Sequence, residues 1–141
     1  MKPANPINIQ RIDHVVLRVT DLEKMVTFYS EVLGCQLERY SGDAGIAQLR
    51  AGQSLIDLVD VLGPIGRQAG GAPDRNATNM DHVCLHLNPW DSDTIRNHLR
   101  QHGVAASPTE TRYGAQGMGP SIYMRDPEGN RIELKGEGEK L

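Results

Sequence analysis

Two histidines and two acids recur at matched positions in this chain, and side chains of these types hold divalent metals. His14 lies in Asp13-His14-Val15-Val16-Leu17; sixty-eight residues later, Asp81-His82-Val83-Cys84-Leu85 repeats Asp, His, Val and Leu at the same offsets. Ile56-Asp57-Leu58 and Ile132-Glu133-Leu134 echo each other too, each an acid between two aliphatics. Imidazole nitrogen and carboxylate oxygen are donors that Zn, Ni, Co, Mn and Fe accept. A lone strand histidine is ordinarily a surface residue or a hydrogen-bonded core residue. An acid inside an apolar strand says more, because an unpaired carboxylate is costly to bury. Four such residues in duplicated positions predict one metal held by His14, Asp57, His82 and Glu133.

Those four need strands to carry them. Ile12–Val19 is β-branched and reads as a strand. Thr20-x-x-Glu23 predicts a capping box, and Leu22, Met25, Val26, Tyr29, Val32 and Leu33 follow at helical spacing up to Gly34, a stop glycine. Short strands are predicted at Gln36–Tyr40, Ile46–Ala51 and Leu55–Leu62. Residues 63–79, rich in Gly and Pro at their start, form a linker or a flap over a site. The pattern then restarts with a strand at Met80–Leu87 and a helix over Ser92–His102, capped by Asp91, stapled by Trp90 and Ile95 and stopped by Gly103. Strands at Val104–Thr111, Ser121–Arg125 and Arg131–Gly136 complete it, the last two joined by a turn at 126–130.

The expectation is therefore an α+β fold in a single domain spanning 1–141. It consists of two βαβββ modules, 11–62 and 80–136, whose mixed sheets curl into a half-barrel cleft. Strand alternation puts His14, Val16 and Arg18 on one face, opposite Asp13, Val15 and Leu17. It likewise groups His82 with Cys84 and His86, and Arg131 with Glu133 and Lys135. Arg18 suits a substrate carboxylate or phosphate, or else a structural ion pair. Tyr123 is placed as a hydrogen-bond donor into the cleft. Cys84 reads as a small buried hydrophobe, His86 as an outer or core histidine, and His98 and His102 as solvent-facing.

The rest of the composition narrows the setting. A length of 141 residues suits one domain, and a net charge of −3 argues against nucleic acid or an anionic membrane as partner. No apolar run is long enough to span a bilayer, and the first residues lack a secretory apolar region. Two cysteines, Cys35 and Cys84, make no framework, so a reduced, cytoplasmic location is expected. Residues 1–10 and 137–141 read as loosely held tails.

With these residues in view, the chain resembles the vicinal oxygen chelate superfamily, which includes glyoxalase I, fosfomycin-resistance proteins, extradiol dioxygenases and bleomycin-binding proteins. The resemblance rests on His14-Val15-Val16-Leu17-Arg18-Val19, Phe28-Tyr29-x-x-x-Leu33-Gly34, Asp81-His82-Val83 and Asp126-Pro127-x-Gly129-x-x-Ile132-Glu133-Leu134. It implies the paired βαβββ fold, a divalent metal and a homodimer, since members of this size often build each site across two chains. His14, His82 and Glu133 match shared ligand positions. Asp57 falls where glyoxalase-I-like members carry a fourth ligand, usually Glu; one methylene shorter, it binds directly, through water or not at all. Arg18 matches an arginine that holds a glutathione carboxylate in glyoxalase I. Met25 and Cys35 depart from the glyoxalase pattern, which weakens the substrate assignment more than the fold.

The reading that follows is a metal-dependent lyase or isomerase similar to glyoxalase I. It would chelate a small oxygenated or thiol-conjugated substrate, with Glu133 or Asp57 as general base. An Fe(II) extradiol dioxygenase is the alternative if Asp57 is not a ligand, although the histidine expected before Tyr123 is missing from Gly114-Ala115-Gln116-Gly117. A thiol transferase for antibiotic resistance and a non-catalytic small-molecule binder stay open as well.

Overall fold

Two βαβββ runs joined by residues 63–79 make up residues 5–138, the part of the chain described by this computed structural model. The first run is β1 (His14–Val19), α1 (Leu22–Thr27) with a π-helical continuation over Phe28–Val32, β2 (Gln36–Ser41), β3 (Ile46–Ala51) and β4 (Ser54–Asp60). The second is β5 (Val83–His86), α2 (Ser92–Gln101), β6 (Glu110–Gly114), β7 (Gly117–Arg125) and β8 (Arg131–Lys135). Each forms a four-stranded mixed sheet, ordered β1-β4-β3-β2 and β5-β8-β7-β6. In both sheets the first and last strands of the module lie parallel, and the remaining pairs are antiparallel. The expected α+β architecture of two modules is the one observed. The tails read at 1–10 and 137–141 lie partly outside the described residues.

Alternation along the strands divides each sheet into two faces. Leu17, Val19, Ala47, Leu49, Ile56 and Leu58 of the first sheet are buried, as are Ile122, Met124, Ile132 and Leu134 of the second. Together with Leu22, Met25, Phe28 and Tyr29 from the first helical segment and Leu99 from α2, they form one apolar cluster shared by both modules. Each of the larger aliphatic side chains contributes roughly 1.5–3 kcal/mol through burial. The histidines and acids of interest sit on the other faces.

The modules are also tied by polar contacts. Tyr29 donates its hydroxyl to Asp126 Oδ2 at 2.8 Å. Glu128 accepts from the amides of Thr20 and Asp21 at 2.8–2.9 Å. This last contact changes the expected helix start. The N-cap is Asp21, whose Oδ1 accepts from the Lys24 amide, and no Thr20–Glu23 capping box forms. A carboxylate on the other module's turn takes the amides that Glu23 was expected to serve. Gly34 does end the helix at positive φ (+73°), as a stop glycine should.

β6 and β7 depart most from expectation. The hairpin pairs Glu110–Gly114 with Gly117–Ser121 of β7, so β6 starts later than Val104 and β7 begins four residues before Ser121. Gly119 and Pro120 look like strand breakers in sequence. Within the sheet Gly119 is registered with Arg112 and Pro120 with Thr111, on the strand's pairing with β6.

Candidate metal centre

His14 and His82 are oriented in the same way. Asp13 Oδ2 lies 2.7 Å from His14 Nδ1, and Asp81 Oδ2 lies 2.6 Å from His82 Nδ1. Strand alternation had put Asp13 opposite His14. However, β1 begins at His14, and an aspartate just outside the ladder folds back to its neighbour's ring. A carboxylate on Nδ1 fixes the tautomer and ring angle and raises the basicity of Nε2, an arrangement typical of metal-bound histidine.

Glu133 completes the second pair, with Oε1 3.1 Å from His82 Nε2. Two donors at right angles on one ion, each about 2.1 Å away, would stand about 3 Å apart. Glu133 is buried, and its Oε2 accepts from Ser121 Oγ at 2.6 Å. Burial pushes its pKa up, but hydrogen bonds from Ser121 and Tyr123 and the nearby His82 outweigh this and hold it below the usual glutamate value. It is therefore a carboxylate at neutral pH.

The first module repeats the theme with a difference. Asp57 is 4% exposed; Gln48 Nε2 donates to its Oδ2 at 3.2 Å, while its buried Oδ1 has no hydrogen-bond partner among the described residues. A buried carboxylate oxygen without a partner is costly unless a cation or a donor reaches it. His14 has its pKa raised, first by the Asp13 bond and further by the charge of Asp57, against a lowering from desolvation. An orphaned acid oxygen beside an oriented imidazole fits a divalent ion.

The quartet stands as two pairs, His14 with Asp57 and His82 with Glu133. Among the described residues, no group of three or more His, Cys, Asp or Glu side chains is placed to hold one metal ion. The faces that carry the pairs are open to solvent. The His14 side chain is 46% exposed, and Val16 and Cys84 beside the two pairs are exposed as well.

Tyr123 lies in register with Glu133 on the same face. Its ring meets His82 edge-on with centroids 5.7 Å apart, and the Arg131 guanidinium lies 4.2 Å over it. Arg18 donates to backbone carbonyls of the connecting segment: Nε to Gly66 O at 3.1 Å, and Nη2 to Gly70 O and to Gly71 O. These bonds use the guanidinium to hold residues 66–71 over the end of β1. Cys84 is exposed rather than buried, because it sits on the open face beside Glu133; partial desolvation and that carboxylate push its thiol pKa up to about 11. His86 is exposed, and His98 and His102 stack on the surface of α2, His98 Nε2 lying 2.7 Å from Val32 O. Sequence reading missed Gln48 and Ser121. Their role comes from lying on a strand beside the acid strand, and the only sequence signal for that is the strand register.

Comparison with known proteins places the chain and its fold. Virulence protein STM3117 of Salmonella typhimurium is 32% identical over 132 residues, covering 89% of this chain and 83% of that protein. Its crystal structure aligns with a TM-score of 0.75, covering 93% of this chain and 99% of that one at 28% identity. Human mitochondrial methylmalonyl-CoA epimerase is 26% identical over 134 residues, 91% of this chain and 74% of the epimerase. Glutathione transferase FosA of Serratia marcescens is 28% identical over 128 residues, 89% of this chain and 80% of that enzyme. Residues 11–134 match the Glyoxalase/Bleomycin resistance protein/Dioxygenase superfamily, and this chain belongs to it.

Proposed function

We propose that this chain is a divalent-metal-dependent lyase or isomerase working as a homodimer, with each site made from His14 and Asp57 of one protomer and His82 and Glu133 of its partner. The observation that carries the reading is the doubled pair: two imidazoles oriented by aspartates, each with a buried acid, on open sheet faces. Its substrate is a small oxygenated or thiol-conjugated compound with two adjacent oxygens. The similarity to an epimerase and to a glutathione transferase supports both substrate types.

When bound, the ion supplies Lewis acidity to the two substrate oxygens. Glu133, held ionised, serves as a ligand. Asp57, one methylene shorter, stands further back, and its unpartnered Oδ1 takes the proton from the carbon beside the substrate carbonyl and returns it to that carbon or its neighbour. Tyr123 orients Glu133 and borders the substrate, and Arg18 keeps the 63–79 segment against the site's edge. The extradiol alternative gains nothing from the structure, since 114–117 form the hairpin turn between β6 and β7 and contribute no histidine.

The shared site is tested by mixing. His14→Ala and His82→Ala, each prepared alone, are expected to lose metal and activity. Refolded together, they form mixed dimers in which one site carries both changes and the other carries neither. Metal content should then recover towards one ion per mixed dimer; no recovery on mixing would overturn the shared site. Within the first pair, Asp57→Ala is expected to weaken metal retention less than His14→Ala does, as measured by competition with a chelator. Equal losses would make Asp57 a full ligand.

A further inference from the structure

We propose that Lys135 is the anion-binding residue of this site, selecting substrates that carry a second carboxylate or a phosphate beside their metal-chelating oxygens. The proposal rests on the metal-dependent reading above and names the substrate class for it. Lys135 is 6% exposed, and its ammonium is buried without a hydrogen-bond partner among the described residues. A lysine is almost never buried unpaired, because its charge loses hydration and gains nothing in return. A folded chain keeps such a group where a ligand supplies the missing partner.

The register says where that ligand lies. Lys135 is two residues beyond Glu133 on β8, on the same face, opposite His86 on β5 and Ser121 on β7. Two residues of strand span about 6.6 Å, so the Lys135 backbone stands on the rung next to the His82–Glu133 pair, while its ammonium lies beside Gly119, past Ser121 and on the side away from Glu133. The neighbouring hairpin leaves it room. A β-carbon at Gly114 would stand 2.8 Å from Lys135 Cε, and one at Gly119 would stand 2.8 Å from Nζ. The lysine stem therefore lies across β7 and β6 in space that two glycines keep empty. Among the described residues no acid pairs with it, although Glu133 is two residues away on the same strand; Glu133 is engaged by His82 and Ser121. Rotation of the four-carbon stem swings the ammonium towards an anion on the open face without moving the backbone.

Lactate and malate provide the test. Both chelate a metal through a 2-hydroxycarboxylate, and malate adds one carboxylate. Manganese-loaded protein titrated calorimetrically is expected to bind malate about tenfold more tightly than lactate, the value of one charge-assisted hydrogen bond. Lys135→Met should erase that preference and leave lactate affinity unchanged. With no unpaired charge left to bury, the metal-free variant should also melt about 3 °C higher. Lys135→Gln, shorter and uncharged, should lose the preference too and serves if the methionine variant does not fold.

Lactate binding without a malate preference in the wild type, or a preference that survives in either variant, would overturn the assignment to Lys135 alone. A lower melting temperature in both variants would mark Lys135 as a structural cation and would also overturn it. If the manganese-loaded wild type binds neither acid, the metal-dependent reading fails and this proposal fails with it.

Discussion

His82→Ala should leave the purified protein without stoichiometric metal, the largest functional effect expected of any single change. Among the described residues the imidazole is half of the one proposed ligand pair at coordination spacing, 3.1 Å from Glu133, and alanine offers no donor in its place. The loss should exceed that of Asp81→Asn, which leaves the ligand but removes its orienting partner; outer partners of this kind are worth about 10–100-fold in affinity. Elemental analysis of untagged protein prepared without chelator measures both. Iron in the wild type would favour oxygen chemistry, whereas nickel, cobalt, manganese or zinc would favour the lyase or isomerase. A His82→Ala protein as rich in metal as the wild type would rule out the proposed centre.

Asp126→Ala is expected to cost the most stability. This buried carboxylate accepts from the Tyr29 hydroxyl, from the Asn130 side chain, and from the amides of Glu128 and Asn130. Alanine removes all four acceptor contacts, leaves the fully buried Tyr29 hydroxyl without a partner and loosens the turn that presents Glu128 to the start of α1. Breaking a buried charge network of this kind costs about 3–5 kcal/mol, a large share of the roughly 5–15 kcal/mol that holds a domain folded. Tyr29→Phe removes only one donor from a carboxylate that keeps three others, so it should cost about 1 kcal/mol. Urea unfolding distinguishes the two. Similar midpoints for both variants would show that Asp126 acts only through Tyr29.

How much of this was readable beforehand differs from residue to residue. The Asp-His-Val-x-Leu repeat and the paired acids predicted the modules and their strand assignments, because alternation and duplication are properties of the chain itself. Gly34 predicted the helix end for the same local reason. The helix start was not legible, because its amides are taken by Glu128, 107 or more residues away. Nor was the extent of β7, since Gly119 and Pro120 act locally as breakers. Their tolerance depends on the Lys135 stem crossing Gly119 and on Pro120 accepting from the Gly136 amide. The division of the quartet into two pairs was equally hidden. Sequence offsets give the face of a strand, but which sheet that face belongs to depends on the packing of helices between the modules. Lys135 was assigned a face and no role, since burial without a partner is visible only in three dimensions.

The apolar cluster that both modules fill makes the two halves of the repeat depend on each other. Neither half encloses its own interior: Leu17 and Ile56 share one mass of side chains with Ile122 and Leu134. Half of this chain on its own would leave that seam exposed to water, so each module needs the other to bury its core. The Tyr29–Asp126 and Glu128–Thr20 ties fasten the start of the first module to the last turn of the second across that seam.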